Sequence, residues 1–294
     1  MNQVALENKP MIKADKRKKV TAGQIVAFLI LLVCTVAMLS PLFFMVSTSL
    51  KTTKEMLRFP PTWIPEVFAW DNFRTLFTNE EIKFGILYKN SLIIAISSVI
   101  GTVMSSALVA YGFARFRAKG KQILFMLMIS TMMLPYPAIM IPQFILFSEL
   151  GWMDTFLPLI VPAFFGSAYQ IFLLRQFFST LPNELYDSGK IDGCSEFRMF
   201  WNIALPLSGP AIATVAIFTF IWTWNDLLAP VLYLSSQEKF TLPIGMAAMI
   251  SSKFRISPWN LLMCASILTV LPIIVLFSVA QKRFTEGIVL TGIK

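Results

Sequence analysis

Six long runs of apolar residues, separated by polar or charged stretches, divide this chain. Each run has about the 20 residues that an α-helix needs to cross a bilayer. The runs lie at 25–48, 87–113, 123–147, 156–174, 205–234 and 259–280. The pattern predicts an all-α polytopic membrane protein with six transmembrane helices. A transmembrane domain over 25–281 then lies between an N-terminal tail (1–24) and a C-terminal tail (282–294).

Composition supports this class independently of the runs. Hydrophobic residues make up 56% of the 294 residues, and the mean hydropathy is +0.69, which is far above the usual apolar share of a soluble domain. Histidine is absent, and Cys34, Cys194 and Cys264 lie far apart. No disulfide framework, metal site or Ser/His/Asp set is therefore predicted. There is also no phosphate-binding loop ending in Gly-Lys-Ser/Thr. The sequence predicts that the chain is not an enzyme and does not hydrolyse ATP itself.

The basic residues are distributed unequally between the two sides of such a bundle. With six spans, both termini share one side, and that side holds 16 of the 25 lysines and arginines. The opposite side holds nine, together with nine acids, so the whole net charge of +9 lies on the side of the termini. The positive-inside rule makes that side cytoplasmic. The basic N-terminal tail is interpreted as a cytoplasmic anchor, with a nucleic-acid-binding arm as the alternative.

A polar stretch over 181–206 lies between the fourth and fifth spans. Pro182 suits the first turn of a helix, and Glu184 and Asp187 place negative charge near the positive end of its dipole. Ser188 and Gly189 give this helix a small-residue surface that another protein's backbone can approach. These features predict a first helix that contacts a partner.

A turn and a second helix follow. Asp192-Gly193 is a turn signal, and Ser195 is suited to cap a helix that ends at Leu205-Pro206. The stretch is therefore predicted to form a helix-turn-helix on the cytoplasmic side.

This stretch resembles the coupling loop of ABC-transporter permeases. The spacing of that loop is present here, since nine residues separate Gly193 from Ile203 and one residue separates Ile203 from Leu205-Pro206. Ile191-Asp192-Gly193, and Leu205-Pro206-Leu207 with Pro210, are similar to the form in carbohydrate importers, in the second, maltose-type permease subunit. The departure is Asp187-Ser188-Gly189, which stands where Glu-Ala-Ala is usual. Similar motifs recur at 110–115, 133–135, 224–226 and 287–294, so the resemblance runs from about residue 49 to the end.

The resemblance implies a subunit of a binding-protein-dependent sugar importer in the bacterial plasma (inner) membrane. Its expected partners are a second, different permease, two ATP-binding subunits and an extracytoplasmic sugar-binding protein, besides membrane lipid. No cofactor is expected on this chain, because ATP and Mg²⁺ bind the partner ATPase, and no nucleic acid is expected. The implied contacts with the ATPase are Gly292 and Lys294 in the C-terminal tail and, in the loop, Glu184, Asp187, Ser188, Gly189, Asp192, Gly193, Leu205 and Pro206.

Trp222, Asn225 and Asp226 are the candidates for a substrate path. A carboxylate inside a span costs about 2.5–3.5 kcal/mol on insertion scales and usually faces a cavity or a partner. On a helix, Trp222 shares a face with Asn225 or Asp226, whereas Trp224 points elsewhere. The alternatives are an interfacial aromatic belt for the tryptophans and a solvated or capping role for Asp226.

Two other kinds of transporter stay open at this point. An ion-coupled secondary carrier needs buried acids, and apart from Asp226 the spans hold few. An ABC permease for a solute other than a sugar is the second alternative. Prolines in spans three to six indicate interrupted helices, which accompany either a solute path or simple kinking.

Overall fold

The computed structural model describes residues 22–251 and 259–290, with the side chains of the last helix described as far as residue 281. Its regular structure within these ranges is helical. The helices are α1 (Ala22–Ser49), α2 (Thr53–Met56), α3 (Asp71–Thr78), α4 (Phe84–Arg115), α5 (Lys121–Ser130), α6 (Tyr136–Glu149), α7 (Leu157–Ile160), α8 (Ala168–Phe178), α9 (Asn183–Ile191), α10 (Glu196–Met199), α11 (Leu205–Leu207), α12 (Gly209–Trp224), α13 (Leu228–Tyr233), α14 (Leu242–Ile250) and α15 (Trp259–Leu290).

Four helical segments in the described ranges are long and apolar enough to cross a membrane, namely Ala22–Ser49, Phe84–Arg115, Leu157–Phe178 and Trp259–Gln281. Two further segments qualify as bent pairs. Lys121–Met133 and Tyr136–Glu149 meet at 99°, and Glu196–Leu207 and Gly209–Trp224 meet at 80°. The described chain therefore contains four candidate spans, or six if each bent pair counts as one span.

Two of the interruptions coincide with residues that break helices. Pro135 lies at the 99° bend, in extended conformation (φ −67°, ψ 138°), immediately before α6. The segment over 157–178 is divided by a 3₁₀ turn at Val161–Phe165 and by Gly166, which has a φ of +86°. Proline lacks the amide proton that a continuous helix needs, and glycine adopts positive φ without strain. The expected interruption of these spans is present.

The fifth span differs from the single run predicted over 205–234. Helix α12 begins only at Gly209, after the 80° bend, and ends at Trp224, while α13 is a separate helix. Pro210 and Pro230 account for this division. Each proline ring would clash with the carbonyl four residues earlier if the preceding helix continued. The bend also separates Leu205-Pro206 from α12, so the loop and the fifth span do not form one straight helix.

The last two helices also depart from the predicted pattern. Helix α14 is apolar but has nine residues, too few to cross a bilayer, and no predicted span includes it. Helix α15 extends to Leu290, so residues 282–290, which the sequence assigned to a tail, continue the last helix.

Among the described residues, those from Met45 onward form one compact unit, and residues 22–44, which make up most of α1, form another. Inside the larger unit, α4 packs against α8, α12, α14 and the 3₁₀ turn at Val161–Phe165. Its first half joins an apolar cluster with α3, α12, α14 and α15, and its second half joins another with α8, α9, α10 and α12. Helix α4 therefore contributes to both apolar clusters of this unit.

Candidate functional site

Helix α9 has a polar face that is exposed to solvent and a second, buried face that packs against the rest of the chain. Glu184, Asp187 and Ser188 are exposed, whereas Tyr186 and Gly189 are buried. Pro182 lies just before the helix, not in its first turn as predicted. Because residues three apart share a helix face, Tyr186 and Gly189 turn inward together.

Gly189 lies close to side chains of the second helix of the loop. A Cβ atom added there would lie 3.2 Å from Cδ1 of Ile203 and 3.2 Å from Sδ of Met199. The absence of a side chain at Gly189 therefore allows the second helix of the loop to approach α9. The contact of Gly189 with a partner stays a prediction.

The turn after α9 is a Schellman motif. Gly193 has a φ of +74°, its N–H donates to Lys190 O at 3.0 Å, and the Cys194 N–H donates to Gly189 O at 2.9 Å. Asp192, the last residue before this glycine, is exposed. Ser195 then caps α10, since its Oγ accepts from the Arg198 N–H at 3.3 Å. The turn and the cap predicted from the sequence are both present.

The second helix of the loop runs through Glu196–Leu207 and contains a π-helical turn at Phe200–Ala204. Leu205 is half-buried and Pro206 is exposed. Helix α9, the turn and this helical segment are called the coupling segment below.

Arg115 attaches the coupling segment to the end of α4. Its Nη1 donates to Oδ1 of Asn183 at 2.7 Å, and its Nη2 donates to Leu181 O at 3.0 Å. The guanidinium also lies 3.5 Å from the ring centroid of Tyr186. Sequence reasoning counted Arg115 only as a basic residue on the side of the termini. The one sequence feature that indicates its contact with the coupling segment is its position at the end of the motif over 110–115.

Tyr111 is the buried centre of the same junction. Its ring contacts those of Tyr186 and Phe200 in the coupling segment and that of Phe178 in α8, with centroids 5.2–6.2 Å apart. Its hydroxyl donates to Oε2 of Glu196 at 3.3 Å. These contacts link the coupling segment to α4 and α8 through close-packed side chains.

Trp222, Asn225 and Asp226 line one cavity of about 970 Å³ in the larger unit. Trp222 is 81% exposed, whereas Trp224 is 1% exposed and stacks on Phe220. The Trp224 Nε1 donates to Thr269 O at 3.1 Å. The structure therefore confirms that Trp222 and Trp224 point in different directions.

Asp226 contributes to the cavity wall and also caps a helix. Its Oδ1 accepts the N–H groups of Leu228 at 3.0 Å and Ala229 at 3.3 Å, which fixes the start of α13. Asn225 turns its Nδ2 back to Ile221 O at 2.7 Å. The capping role left open by the sequence is thus present, and it holds the carboxylate at the cavity.

Gly292 and Lys294 lie outside the described residues. Within the described residues, no group of three or more Cys, Asp or Glu side chains could hold a metal ion.

The apolar helical bundle, the polar coupling segment and the cavity define a polytopic membrane transport protein. Residues 99–289 match the family model described as "Binding-protein-dependent transport system inner membrane component". The chain belongs to this family, which confirms the resemblance to ABC importer permeases.

Two curated relatives are similar over nearly their whole length. The arabinooligosaccharides transport system permease protein AraQ of Bacillus subtilis is 34% identical over 258 residues, 87% of this chain and 90% of the relative. The sn-glycerol-3-phosphate transport system permease protein UgpE of Pectobacterium atrosepticum is 33% identical over 269 residues, which are 90% of this chain and 95% of the relative.

A solved structure shares the fold. It is a chain of a bacterial ABC transporter involved in the import of the acidic polysaccharide alginate, with a TM-score of 0.79. The identity is 20%, and the match covers 88% of this chain and 95% of the other.

Proposed function

We propose that this chain forms half of the translocation path of a binding-protein-dependent ABC importer for a sugar or oligosaccharide. The observation that carries the proposal is the cavity that brings Trp222, Asn225 and Asp226 together. An aromatic surface beside hydrogen-bonding groups suits a sugar, because hydroxyls that lose water need polar partners. The similarity to AraQ, which is named for the transport of arabinooligosaccharides, supports the substrate class.

The coupling segment is the proposed docking site for a separate ATPase. Glu184, Asp187, Ser188 and Asp192 are exposed and would contact the motor, while Gly189 and Gly193 would hold the shape of the segment. Leu205 and Pro206 lie before the 80° bend, so motion would pass chiefly through Arg115 and the Tyr111 cluster to α4 and α8. ATP and Mg²⁺ would stay on the partner subunit.

The family supports a proposal for the remaining parts of the assembly. We propose a heterodimer with a second permease, two ATPase subunits and an extracytoplasmic binding protein, in a bacterial inner membrane. The six spans would place both termini in the cytoplasm, where Gly292 and Lys294 would reach the ATPase.

Purification of an affinity-tagged chain from its native membrane tests this function. We expect one different permease and two ATPase subunits to co-purify, and the complex in proteoliposomes to take up sugar only with ATP and binding protein. A homo-oligomer that transports without ATP would contradict the proposal.

A further inference from the structure

The cavity walls carry a charge pattern that bears on the kind of sugar. Among the described residues, Asp226 is the one charged side chain that lines the 970 Å³ cavity. An adjoining cavity of about 660 Å³ shares Trp222 and Thr223 with it, and no charged residue in the described part of the chain lines this second cavity. No lysine or arginine of the described residues therefore faces either cavity.

Among the described residues, no cationic side chain pairs with the carboxylate of Asp226. The hydrogen bonds that this carboxylate accepts from the described residues both go to Oδ1, from the backbone N–H groups of Leu228 and Ala229. Among the described residues, Asp226 forms no salt bridge, in contrast to Asp154, which pairs with Lys239. A cleft lined by one sign of charge attracts ions of the opposite sign and repels those of the same sign.

The same walls contain neutral polar groups that have no hydrogen-bond partner among the residues that the structure describes. Examples are Gln170 (Oε1) and Thr219 (Oγ1) in the second cavity and Thr241 (Oγ1) in the first. Each of these side chains is more than nine-tenths buried, and the named oxygen has no hydrogen-bond partner among the described residues. Buried polar atoms of native proteins are nearly always hydrogen-bonded, to protein, water or ligand. Hydroxyl groups of a solute can supply these partners.

We infer that this half of the path admits neutral carbohydrates and disfavours anionic ones, such as sugar phosphates and uronic acids, with Asp226 as the charge-selecting residue. This inference rests on the proposed function, because it concerns the same cavity. Membership of the family does not establish the charge of the substrate, since the names of its members mention arabinooligosaccharides and sn-glycerol-3-phosphate. Recognition of a phosphate or carboxylate relies on Arg, Lys or backbone N–H groups, and the described cavity walls offer no cationic side chain for it.

Charged thiol reagents measure this selectivity without transport. A reporter cysteine at Thr223, which lines both cavities, is introduced into the complete transporter after Cys34, Cys194 and Cys264 are replaced. Cationic and anionic methanethiosulfonates of similar size then react with it in detergent. We expect the ratio of cationic to anionic rates to exceed that of a free thiol by about tenfold, because the cleft concentrates cations.

The variant Asp226→Asn keeps a capping side chain and removes the charge, so we expect it to bring the ratio close to that of the free thiol. The matched control is Glu149→Gln, an exposed acid outside both cavities, which should leave the ratio raised. A ratio no higher than that of the free thiol with Asp226 intact would overturn the inference, as would a raised ratio that Asp226→Asn leaves unchanged. Because this result does not depend on uptake, it is distinguishable from a failure of the proposed function.

Discussion

The positive φ of Gly193 is a residue-scale feature on which the coupling segment depends. A residue with a Cβ in this left-handed conformation costs roughly 1–2 kcal/mol, and asparagine tolerates it better than most. Because no atom lies within 4 Å of an added Cβ, the expected effect comes from the backbone and from any docked partner, not from crowding within the chain.

We predict that Gly193→Arg leaves the complex assembled but abolishes most uptake, while the ATPase still turns over. Uptake and ATP hydrolysis are measured together in proteoliposomes. Gly193→Asn is the control, and it should retain most of the coupling. Normal uptake with Gly193→Arg would show that this turn does not transmit motion.

Asn225 and Asp226 are the polar residues that the cavity combines with Trp222. We predict that Asn225→Ala and Asp226→Ala lower uptake at least several-fold, because sugar hydroxyls lose their partners. Assembly with the partner permease, measured by size-exclusion chromatography, should be unchanged. Glu149→Ala is the control. Loss of the complex, or normal uptake, would assign both residues to packing.

At the scale of elements, the structure shows two junctions that hold helices and loops together. Arg115 joins α4 to α9, and Asp154 joins the loop before α7 to the loop after α13. Both junctions use charged side chains to bind backbone groups, which gives stronger hydrogen bonds than neutral pairs.

We predict that Arg115→Ala releases α9 from the end of α4. Hydrogen exchange of residues 183–192, measured by mass spectrometry, should become faster. Uptake should fall. Arg117→Ala, which removes an exposed arginine two residues away, should change neither. Unaltered exchange in Arg115→Ala would mean that the apolar cluster around Tyr111 suffices to hold the segment.

The Asp154 junction should depend on pH. Its carboxylate accepts the N–H groups of Ser235 and Ser236 at 3.0 Å each and pairs with Lys239 at 2.9 Å. Hydrogen bonds from Ser236 and Lys239 hold the pKa of Asp154 well below its usual range. A lowered folded-state pKa stabilises the protein above the unfolded-state pKa of about 3.9, and this stabilisation is lost as the pH falls through the folded-state pKa.

We therefore predict that Asp154→Asn lowers the melting temperature of the detergent-solubilised complex at pH 7. The difference from the unmodified protein should narrow as the pH is lowered below about 4, where protonation removes part of the native advantage. Thermal unfolding at pH 7 and below about pH 4 measures this difference in melting temperature. A difference that is constant with pH would show that the charge of Asp154 contributes nothing.

At the scale of the whole molecule, the testable property is topology. The unequal distribution of basic residues predicts that 116–120 lie in the cytoplasm and that 79–83 lie outside. In a cysteine-free background, Lys119→Cys should not react with an impermeant reagent applied to intact cells, whereas Glu80→Cys should. Labelling of Lys119→Cys from outside would reject a topology with cytoplasmic termini.

The sequence alone determined the membrane class, the helix-turn-helix of the coupling segment and the divergence of Trp222 and Trp224. These depend on local properties, namely the length of apolar runs, turn and cap residues such as Gly193 and Ser195, and helical spacing. Each is encoded within a few turns of chain, so it can be predicted without knowing the packing.

How these parts contact one another depends on the tertiary structure. The inward position of Gly189 depends on Met199 and Ile203, the junction at Arg115 depends on residues 66 and 68 positions away, and the cavity is formed by segments between Ser91 and Thr241. The 80° bend at Ser208 and the separate α13 arise from prolines whose effect on direction depends on neighbouring helices. Contacts between residues far apart in the chain are set by packing, which periodicity does not encode.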